Sequence, residues 1–380
     1  MTAVVTGAYE VPYSRHPDPG CSTGGLLAGA VLGAVRAAGI DLDRVDGLGL
    51  SSFTLRPDHA VDLAWRMGLT LRWLVEDPHG GASGINLLML ARRAVEAGDA
   101  DCIVLVAGDR FGPADFADLV DNYNTATRDH LAPLGFGGPN AAFAQLTTRH
   151  ARATGLTETD YARIPVAQRR WAGRNPGAVY RDPMTVEDYL AAPVVTTPLR
   201  RLDCVPVVSG ADAIVVERDA DAAGRPRARV RALAGRHNPD QQDGDGLQTG
   251  LAHVRDRLWD GAGVGPEDLD LAGVYDDYPV MALIQLADLG CVPGDDLRAF
   301  LHDRIDRAGW PLNTSGGQLS AGQAGAAGGM HFLVEAVLQL QGRAGDRQVP
   351  DARHALVTGY GMVLYRYGAM ANAVVLEAGR

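Results

Sequence analysis

Two tyrosines and two aspartates stand together in residues 275–279, Tyr-Asp-Asp-Tyr-Pro, and Tyr360 lies between two glycines near the end of the chain. Phenol and carboxyl groups can remove or return a proton, although a tyrosine of pKa about 10 needs activation to act as a base at neutral pH. Neighbouring side chains of an extended segment point to opposite faces, so we expect one aspartate, Asp277, to face a site. The candidates for proton transfer are Tyr275, Tyr278, Asp277 and Tyr360; packing at a sheet end is the alternative for the tyrosines.

A second group of residues is suited to holding negative charge. Gln323 lies in a glycine-flanked loop, and its amide can donate a hydrogen bond to an enolate oxygen. Residues 78–84, Pro-His-Gly-Gly-Ala-Ser-Gly, lead into an apolar helix, where backbone N–H groups around Gly81 can add donors. His79 is the histidine nearest to this turn. The structural alternatives are a tight strand-to-helix connection with Ser83 as the helix cap, a structural amide at Gln323 and loop packing by His79.

Alternating strand and helix patterns predict an α/β layered fold around these residues. Residues 83–97 are apolar nearly all round, which is typical of a buried helix, and residues 102–108 form an apolar run typical of a strand covered on both faces. Polar residues, prolines and arginines in residues 111–201 predict an inserted loop domain. The other predicted helices cover residues 22–38, 57–67, 140–153 and 330–340, and the other predicted strands cover residues 3–5, 46–51, 209–216, 228–234, 271–275, 354–359 and 371–376.

The composition limits the class of protein. Hydrophobic residues make up 46% of the 380 residues, no run of 18 apolar residues occurs and no basic leader precedes an apolar core, so we expect a cytoplasmic protein without a membrane span. The net charge of −11 is spread along the chain and argues against nucleic acid as a partner. Four separated cysteines predict free thiols and no metal site. The glycine-rich residues 322–329 lack the strand, turn and acidic residue of a dinucleotide site, which excludes a nicotinamide cofactor.

Four segments resemble the active-site loops of thiolases of the sterol-carrier-protein or lipid-transfer type. Residues 80–88, Gly-Gly-Ala-Ser-Gly-Ile-Asn-Leu-Leu, are similar to the Cys-Ala-Ser-Gly turn, with Gly81 in the place of the cysteine nucleophile. Residues 275–279 stand where the family carries His-Asp-Cys-Phe, and Gln323 replaces the histidine of Gly-His-Pro after Asn-Thr-x-Gly-Gly. Residues 358–362 match the cysteine-glycine loop without a cysteine. The frame of a thioester enzyme is therefore present without its nucleophile.

The resemblance covers nearly the whole chain and implies a thiolase-like α/β fold. Two related layered halves are expected at residues 1–204 and 205–380, with the inserted loop domain at about 111–201 inside the first half. Glycine has no side chain to acylate, so an acyl-enzyme intermediate is excluded at position 81. The polar replacements in the loops are the parts of an aldol or retro-aldol reaction, in which a tyrosine or aspartate moves the proton and Gln323 with loop N–H groups holds the enolate.

The chain looks like the cysteine-less aldolases of steroid side-chain degradation within the thiolase superfamily. This likeness implies retro-aldol cleavage, or the reverse aldol formation, of a β-hydroxyacyl-CoA, with coenzyme A as part of the substrate and no bound cofactor. It also implies a homodimer and a small partner protein with an OB-fold and often a zinc ribbon. Two other functions stay open, an acyltransferase or Claisen-type enzyme and a non-catalytic scaffold for the small partner.

Coenzyme A carries phosphate groups that basic side chains can bind. The candidate residues lie in the expected insert, and ordinary solvated arginines are the alternative. The candidates are Arg169, Arg170, Arg181, Arg200 and Arg201.

Overall fold

The computed structural model describes residues 2–136, 138–241, 243–365 and 368–379. The strands are β1 (Ala3–Ser14), β2 (Gly47–Ser51), β3 (Trp73–Glu76), β4 (Cys102–Asp109), β5 (Val194–Thr196), β6 (Leu199–Arg200), β7 (Ser209–Arg218), β8 (Arg227–His237), β9 (Leu271–Gly273), β10 (His354–Val363) and β11 (Gly368–Gly379). The α-helices are α1 (Thr23–Ala38), α2 (His59–Arg66), α3 (Ser83–Ala97), α4 (Pro113–Asp121), α5 (Pro139–Thr154), α6 (Glu158–Tyr161), α7 (Arg163–Ala172), α8 (Val186–Ala191), α9 (Arg255–Ala262), α10 (Pro279–Asp288), α11 (Leu297–Ala299), α12 (Gly317–Ala321) and α13 (Gly328–Leu340). Each strand and helix predicted from the sequence is present; the first strand, predicted at residues 3–5, extends to Ser14, and the other ends are shifted by four residues or fewer.

Nine strands form one mixed sheet in the order β3-β2-β4-β7-β1-β8-β11-β10-β9. The order contains the same pattern twice. From β1 outward, β7 and β4 are antiparallel and β2 is parallel to β4; from β8 outward, β11 and β10 are antiparallel and β9 is parallel to β10. The two sets meet where β1 pairs with β8. The sheet therefore has the two related halves that the α/β prediction described.

The first set of strands extends beyond the boundary placed at residues 204 and 205. Strand β7 (Ser209–Arg218) lies between β4 and β1 and pairs with both. Its side chains are buried except at the last residue, so it is an inner strand of the first half. In sheet topology the first half thus continues through Arg218, because the chain returns from the insert to complete this half before it starts the second.

Two buried helices bring the predicted loops together. Helix α3 of the first half and helix α13 of the second half contact each other and the sheet. Their first turns meet at Gly84 and Gly329, where a Cβ atom on Gly84 would overlap the carbonyl oxygen of Gly329. This close approach requires glycine and places the turn before α3, with Gly81, beside the segment before α13, with Gln323.

The insert at residues 111–201 is mainly helical, and its longest helix, α5, is the one predicted at residues 140–153. Residues 111–201 contain helices α4 to α8, a π-helical segment at Ala126–Leu131 and the small antiparallel pair of β5 and β6. The other helices of the insert have ten residues or fewer, and α7 carries arginines and glutamine between apolar positions, so the residue pattern there is polar. Among the described residues, no helix is long and apolar enough to cross a membrane.

Candidate active site

The ring of Tyr275 lies against Gly81. A Cβ atom on Gly81 would overlap the Tyr275 ring and the carbonyl oxygen of Tyr360. Tyr275 follows strand β9, and its backbone N–H donates to Thr358 Oγ1 at 3.0 Å. The preceding residue, Val274, is held by the side chain of Asn313 at 2.7 and 2.9 Å, so Asn313 fixes this loop by backbone hydrogen bonds. The phenol therefore occupies the space that the side chain of a cysteine at position 81 would need.

The hydroxyl of Tyr275 is bound by Gln323. Gln323 Nε2 donates to Tyr275 Oη at 2.8 Å and to Gln318 Oε1 at 2.9 Å. Both N–H bonds of this amide are therefore used inside the protein. The expected donation by the Gln323 side chain to an enolate is wrong for this arrangement, whereas the proton of Tyr275 stays available. Burial, followed by the charge of Asp277, raises the pKa of Tyr275 well above its ordinary value, so the phenol is neutral and acts as a donor.

Asp277 is a desolvated carboxyl group among phenols. Its side chain is half-buried, and Oδ1 has no hydrogen-bond partner in the part of the chain that the structure describes. Burial, followed by the charge of Asp276, raises the pKa of Asp277 well above its ordinary value. Asp277 in turn raises the pKa values of the neighbouring tyrosines, Tyr123, Tyr275, Tyr278 and Tyr360. A carboxyl group with a raised pKa is a stronger base than an ordinary aspartate, and beside a neutral phenol it is suited to taking up and returning a proton.

Known proteins with similar sequences and structures carry the same fold along their whole length. Residues 234–374 match the family described as thiolase C-terminal domain-like. The chain is 33% identical over 380 residues to the 17-hydroxy-3-oxo-4-pregnene-20-carboxyl-CoA lyase of Mycobacterium tuberculosis, covering 94% of this chain and 95% of that protein. It is 29% identical to a steroid side-chain-cleaving aldolase of Thermomonospora curvata, covering 94% of each chain. The solved Ltp2-ChsH2(DUF35) aldolase matches with a TM-score of 0.84 and 26% identity, covering 100% of this chain and 98% of that chain.

The chain belongs to the thiolase superfamily. Within it, the chain is a thiolase-like aldolase of the sterol-carrier-protein type, a carbon–carbon lyase that acts on CoA thioesters. The resemblance, the thiolase-like α/β fold and the lyase class predicted from the four loops are thereby confirmed. Gly81 stands where the resemblance places the family's cysteine, and the ring of Tyr275 packs against it.

Two of the predicted tyrosines, Tyr360 and Tyr278, are fixed by hydrogen bonds and ring contacts within this aldolase. Tyr360 is fully buried, its hydroxyl accepts a hydrogen bond from the backbone N–H of Gly368, and its ring centre lies 6.4 Å from that of Tyr275. Tyr278 donates to Asn140 Oδ1 at 2.6 Å and stacks on Phe143 at 4.2 Å between ring centres. Burial raises the pKa of both phenols. Both rings therefore line or support the site, while Tyr275 carries the hydroxyl that faces Gln323.

His79 belongs to a polar cluster at the start of helix α3. Its Nδ1 lies 2.9 Å from Asp77 Oδ1, and the same carboxylate accepts hydrogen bonds from Ser83 Oγ at 2.6 Å and Asn86 Nδ2 at 3.1 Å. Ser83 is the first residue of α3 and does not cap it, which corrects the expected cap. Gly81 itself is fully buried in the turn. Among the described contacts, His79 makes none with Tyr275 or Gln323.

The candidate arginines are spread over the insert, and most have partners there. Arg169 Nε donates to Ser320 Oγ at 3.0 Å, Arg170 pairs with Asp306 at 2.7 Å, and Arg200 pairs with Glu158 at 2.7 Å. Arg201 and Arg181 are exposed. The structure thus brings no common group of these five side chains together, and their contact with coenzyme A stays a prediction.

The thiols do not offer a second nucleophile near Tyr275. Burial raises the pKa values of Cys102, Cys204 and Cys291 to about 12, so these side chains are protonated at neutral pH. Cys204 lies nearest to the predicted residues, since its Sγ is 3.6 Å from Asn140 Oδ1, the acceptor of Tyr278. A protonated thiol is a poor nucleophile, so the environment of these cysteines disfavours acyl transfer through them.

His331 of helix α13, which is not one of the predicted site residues, binds the turn that precedes Gln318. Both ring nitrogens of His331 have partners, Glu10 Oε2 at 2.7 Å and Ser315 Oγ at 2.7 Å. Burial, the largest single cause, lowers the pKa of His331, but the charge and hydrogen bond of Glu10 together with the charges of Asp212 and Glu335 outweigh it and raise the pKa to about 9. Glu10, Asp212 and His331 lie close enough to hold a metal ion, yet the pairing of both nitrogens describes a buried ion pair.

The sequence reasoning missed two residues of the site, Gln318 and Tyr123. Gln318 directly follows the Asn-Thr-x-Gly-Gly residues 313–317, five residues before Gln323, and the turn of helix α12 brings the two amides together. Burial raises the pKa of Tyr123 to about 12, and Asp277 adds to the rise. Tyr123 comes from the irregular end of helix α4, where no periodic pattern pointed to the site. The two glutamines, five residues apart in a run of small residues, are the sequence signal that could have pointed to Gln318.

Proposed function

We propose that this aldolase cleaves a β-hydroxyacyl-CoA by a retro-aldol reaction, or forms it in the reverse direction, without an acyl-enzyme intermediate. The observation that carries the proposal is the hydroxyl of Tyr275, held by Gln323 beside Asp277, in the space that a cysteine side chain would fill. A neutral phenol is a good hydrogen-bond donor to an oxygen that gains charge. The buried carboxyl group next to it is the matching base.

Each step of the proposed reaction has a residue to perform it. Asp277 removes the proton of the β-hydroxyl group, the bond between the α and β carbons breaks, and a carbonyl compound leaves. The electron pair of that bond moves into the thioester as an enolate, whose oxygen accepts a hydrogen bond from Tyr275. Protonated Asp277 then returns its proton to the α carbon, which gives the shorter acyl-CoA. Proton and electrons balance, so the reaction needs no redox cofactor.

The substrate class rests on the relatives. The two similar enzymes are named for a 17-hydroxy steroid carboxyl-CoA lyase and for steroid side-chain cleavage. A hydroxyl group β to a CoA thioester is the element that the proposed chemistry uses, and we extend that element to the substrate of this aldolase. Coenzyme A enters as part of the substrate, and the exposed Arg181 and Arg201 are the side chains left free to meet its phosphates.

The assembly proposed here is a homodimer with a small OB-fold or zinc-ribbon partner in the cytoplasm. Strand β3 is an edge of the nine-stranded sheet, and its residues alternate between partly buried and exposed, so a second copy of β3 can extend the sheet. The aldolase of known structure carries two protein names, Ltp2 and ChsH2(DUF35), which supports a partner. Four free cysteines suit a reducing compartment.

The test is mass spectrometry of the purified protein incubated with a panel of β-hydroxyacyl-CoA compounds, with and without a co-expressed OB-fold partner. We expect a shorter acyl-CoA, a carbonyl compound and no adduct on the protein. The Tyr275→Phe variant should lower kcat about 100-fold, the cost of removing one donor to a developing oxyanion. Tyr9→Phe, a half-exposed tyrosine away from the site, is the matched control. A stable acyl adduct, or no turnover with any compound in either preparation, would overturn the proposal.

A further inference from the structure

The Gln323 amide has only one orientation that leaves the Tyr275 proton free. A carboxamide has a donor end and an acceptor end, and the donor end of Gln323 faces the tyrosine oxygen at 2.8 Å. If the amide were turned over, Tyr275 would donate its proton to Gln323 Oε1. The phenol could then not donate it to a substrate, although the atoms would occupy almost the same positions.

Gln318 is the residue that selects this orientation. Its Oε1 accepts the second N–H of Gln323 at 2.9 Å, so the donor end of Gln323 must lie between Gln318 and Tyr275. The side chain of Gln318 is fully buried and has no contact with Tyr275 among the described hydrogen bonds. Its effect on the phenol therefore passes through Gln323.

The surroundings of Gln318 hold its backbone and enclose its side chain, whose Nε2 has no hydrogen-bond partner among the described residues. Its backbone N–H donates to Asp276 Oδ1 at 2.9 Å, which anchors the start of helix α12 to the segment that carries Tyr275. A Cβ atom on Gly328 would overlap Gln318 Oε1, so the glycine at that position leaves room for the acceptor. The amide of Gln318 is thus enclosed between the Tyr275 segment and the start of α13.

We propose that Gln318 is a positioning residue that sets the orientation of the Gln323 amide and thereby keeps the Tyr275 proton for the substrate. The proposal rests on the role of Tyr275 in the proposed function. The proposal predicts different effects of a glutamine-to-glutamate substitution at the two positions. Glutamate can replace Gln318, which acts as an acceptor, but it cannot replace Gln323, which acts as a donor.

The kinetic test is therefore a pair of glutamine-to-glutamate substitutions. Gln323→Glu replaces the donor end by carboxyl oxygens, so Tyr275 donates its proton to them; kcat should fall about 100-fold, the loss of one oxyanion donor, with KM changed less than about threefold. Gln318→Leu removes the acceptor and should lower kcat about tenfold. Gln318→Glu keeps an acceptor and should recover most of the loss caused by Gln318→Leu. Because both glutamates add the same group at neighbouring positions, the pair controls for added charge, and thermal unfolding checks that each variant is folded.

A measurement independent of turnover separates this inference from the proposed function. Neutron diffraction from perdeuterated crystals of the wild type should show the two deuterons of Gln323 Nε2 on the lines to Tyr275 and Gln318, and the Tyr275 deuteron directed elsewhere. A deuteron of Tyr275 on the line to Gln323 would overturn the inference, as would a Gln323→Glu variant as active as the wild type. The expected deuteron positions in a protein that turns over no β-hydroxyacyl-CoA would support the inference and reject the proposed function.

Discussion

Two sets of buried polar residues lie on either side of the turn at residues 313–316. They differ in how many of their side-chain atoms have a hydrogen-bond partner. On one side, helix α13 presents residues one turn apart: His331 binds Ser315, and Glu335 binds Thr314 at 2.7 Å. Each is also an ion-pair member, with Glu10 at 2.7 Å and Arg347 at 2.9 Å. On the other side lie buried polar atoms without partners among the described residues, namely Asp276 Oδ2, Asp277 Oδ1, Gln318 Nε2 and both amide atoms of Gln168.

The difference separates a part of the molecule that stabilises from a part that reacts. Buried polar groups in folded proteins are nearly always hydrogen-bonded, and leaving them unpaired costs stability. The paired side fixes the turn, whereas the unpaired side keeps Asp277, a carboxyl group with a raised pKa, near several phenols. We therefore expect changes on the unpaired side to affect activity and changes on the paired side to affect stability.

The largest effect is expected at Gly81, because the missing side chain at this position leaves room for the ring of Tyr275. Gly81→Cys restores a thiol in the family's position, but its Cβ overlaps the Tyr275 ring and the Tyr360 carbonyl oxygen. Overpacking at a fully buried position should lower the free energy of unfolding by about 3 kcal/mol or more and abolish lyase turnover. Gly29→Ala in helix α1 is the control, since its Cβ would lie 3.7 Å from Val11 and should cost nothing. A stable Gly81→Cys protein with acyl-transfer activity would contradict the coupling of Gly81 and Tyr275.

Asp277→Asn tests the reactive side directly. Loss of the proposed base should lower kcat at least 100-fold, the usual contribution of a positioned general base. The same change removes a desolvated carboxyl group, so chemical unfolding should show equal or greater stability than the wild type. Asp260→Asn, at an exposed position of helix α9, is the matched control. A large loss of stability with normal kcat would place Asp277 with the paired groups instead.

How far the site could be predicted from the sequence depends on the kind of signal. The strands and buried helices were predictable because apolar periodicity reports burial, and Asn313 was predictable because a loop asparagine commonly binds backbone. The direction of the hydrogen bonds of Gln323 was not, because it depends on Gln318, a residue of the five-residue helix α12 that is too short to give a periodic pattern. Ser83 was misassigned because Asp77, six residues earlier, accepts its hydroxyl. Of the helices in the insert only α5 was predicted, because the others have ten residues or fewer and too few turns for a periodic pattern.

The paired side should show its effect in stability and in its pH dependence. His331 has a pKa of about 9 in the folded protein and about 6.5 when unfolded, so its protonated form contributes up to about 3 kcal/mol that is fully present below pH 6.5 and is lost as the pH rises through 9. His331→Gln should therefore destabilise by about 3 kcal/mol at pH 6 and by much less at pH 10, as measured by urea unfolding. His253→Gln, an exposed histidine, is the control. An equal loss at both pH values would mean that packing, and not the ion pair with Glu10, is what the substitution removes.

The smallest expected effect comes from Asp276, whose Oδ1 accepts a hydrogen bond while its Oδ2 has no partner among the described residues. Burial raises its pKa to about 7, although the backbone N–H of Gln318 acts against the rise. The folded state therefore favours the protonated form, and the ionised form costs stability as the pH rises from about 4 through 7, with a ceiling of about 4 kcal/mol that relaxation reduces to about 2 kcal/mol. Asp276→Asn keeps the acceptor for Gln318 and removes this cost, so its stability should exceed that of the wild type at pH 8 and match it at pH 4.5. A lower stability of Asp276→Asn at pH 8 would mean that a cationic partner holds the ionised carboxylate. Ionising Asp276 in the folded protein would then not cost stability.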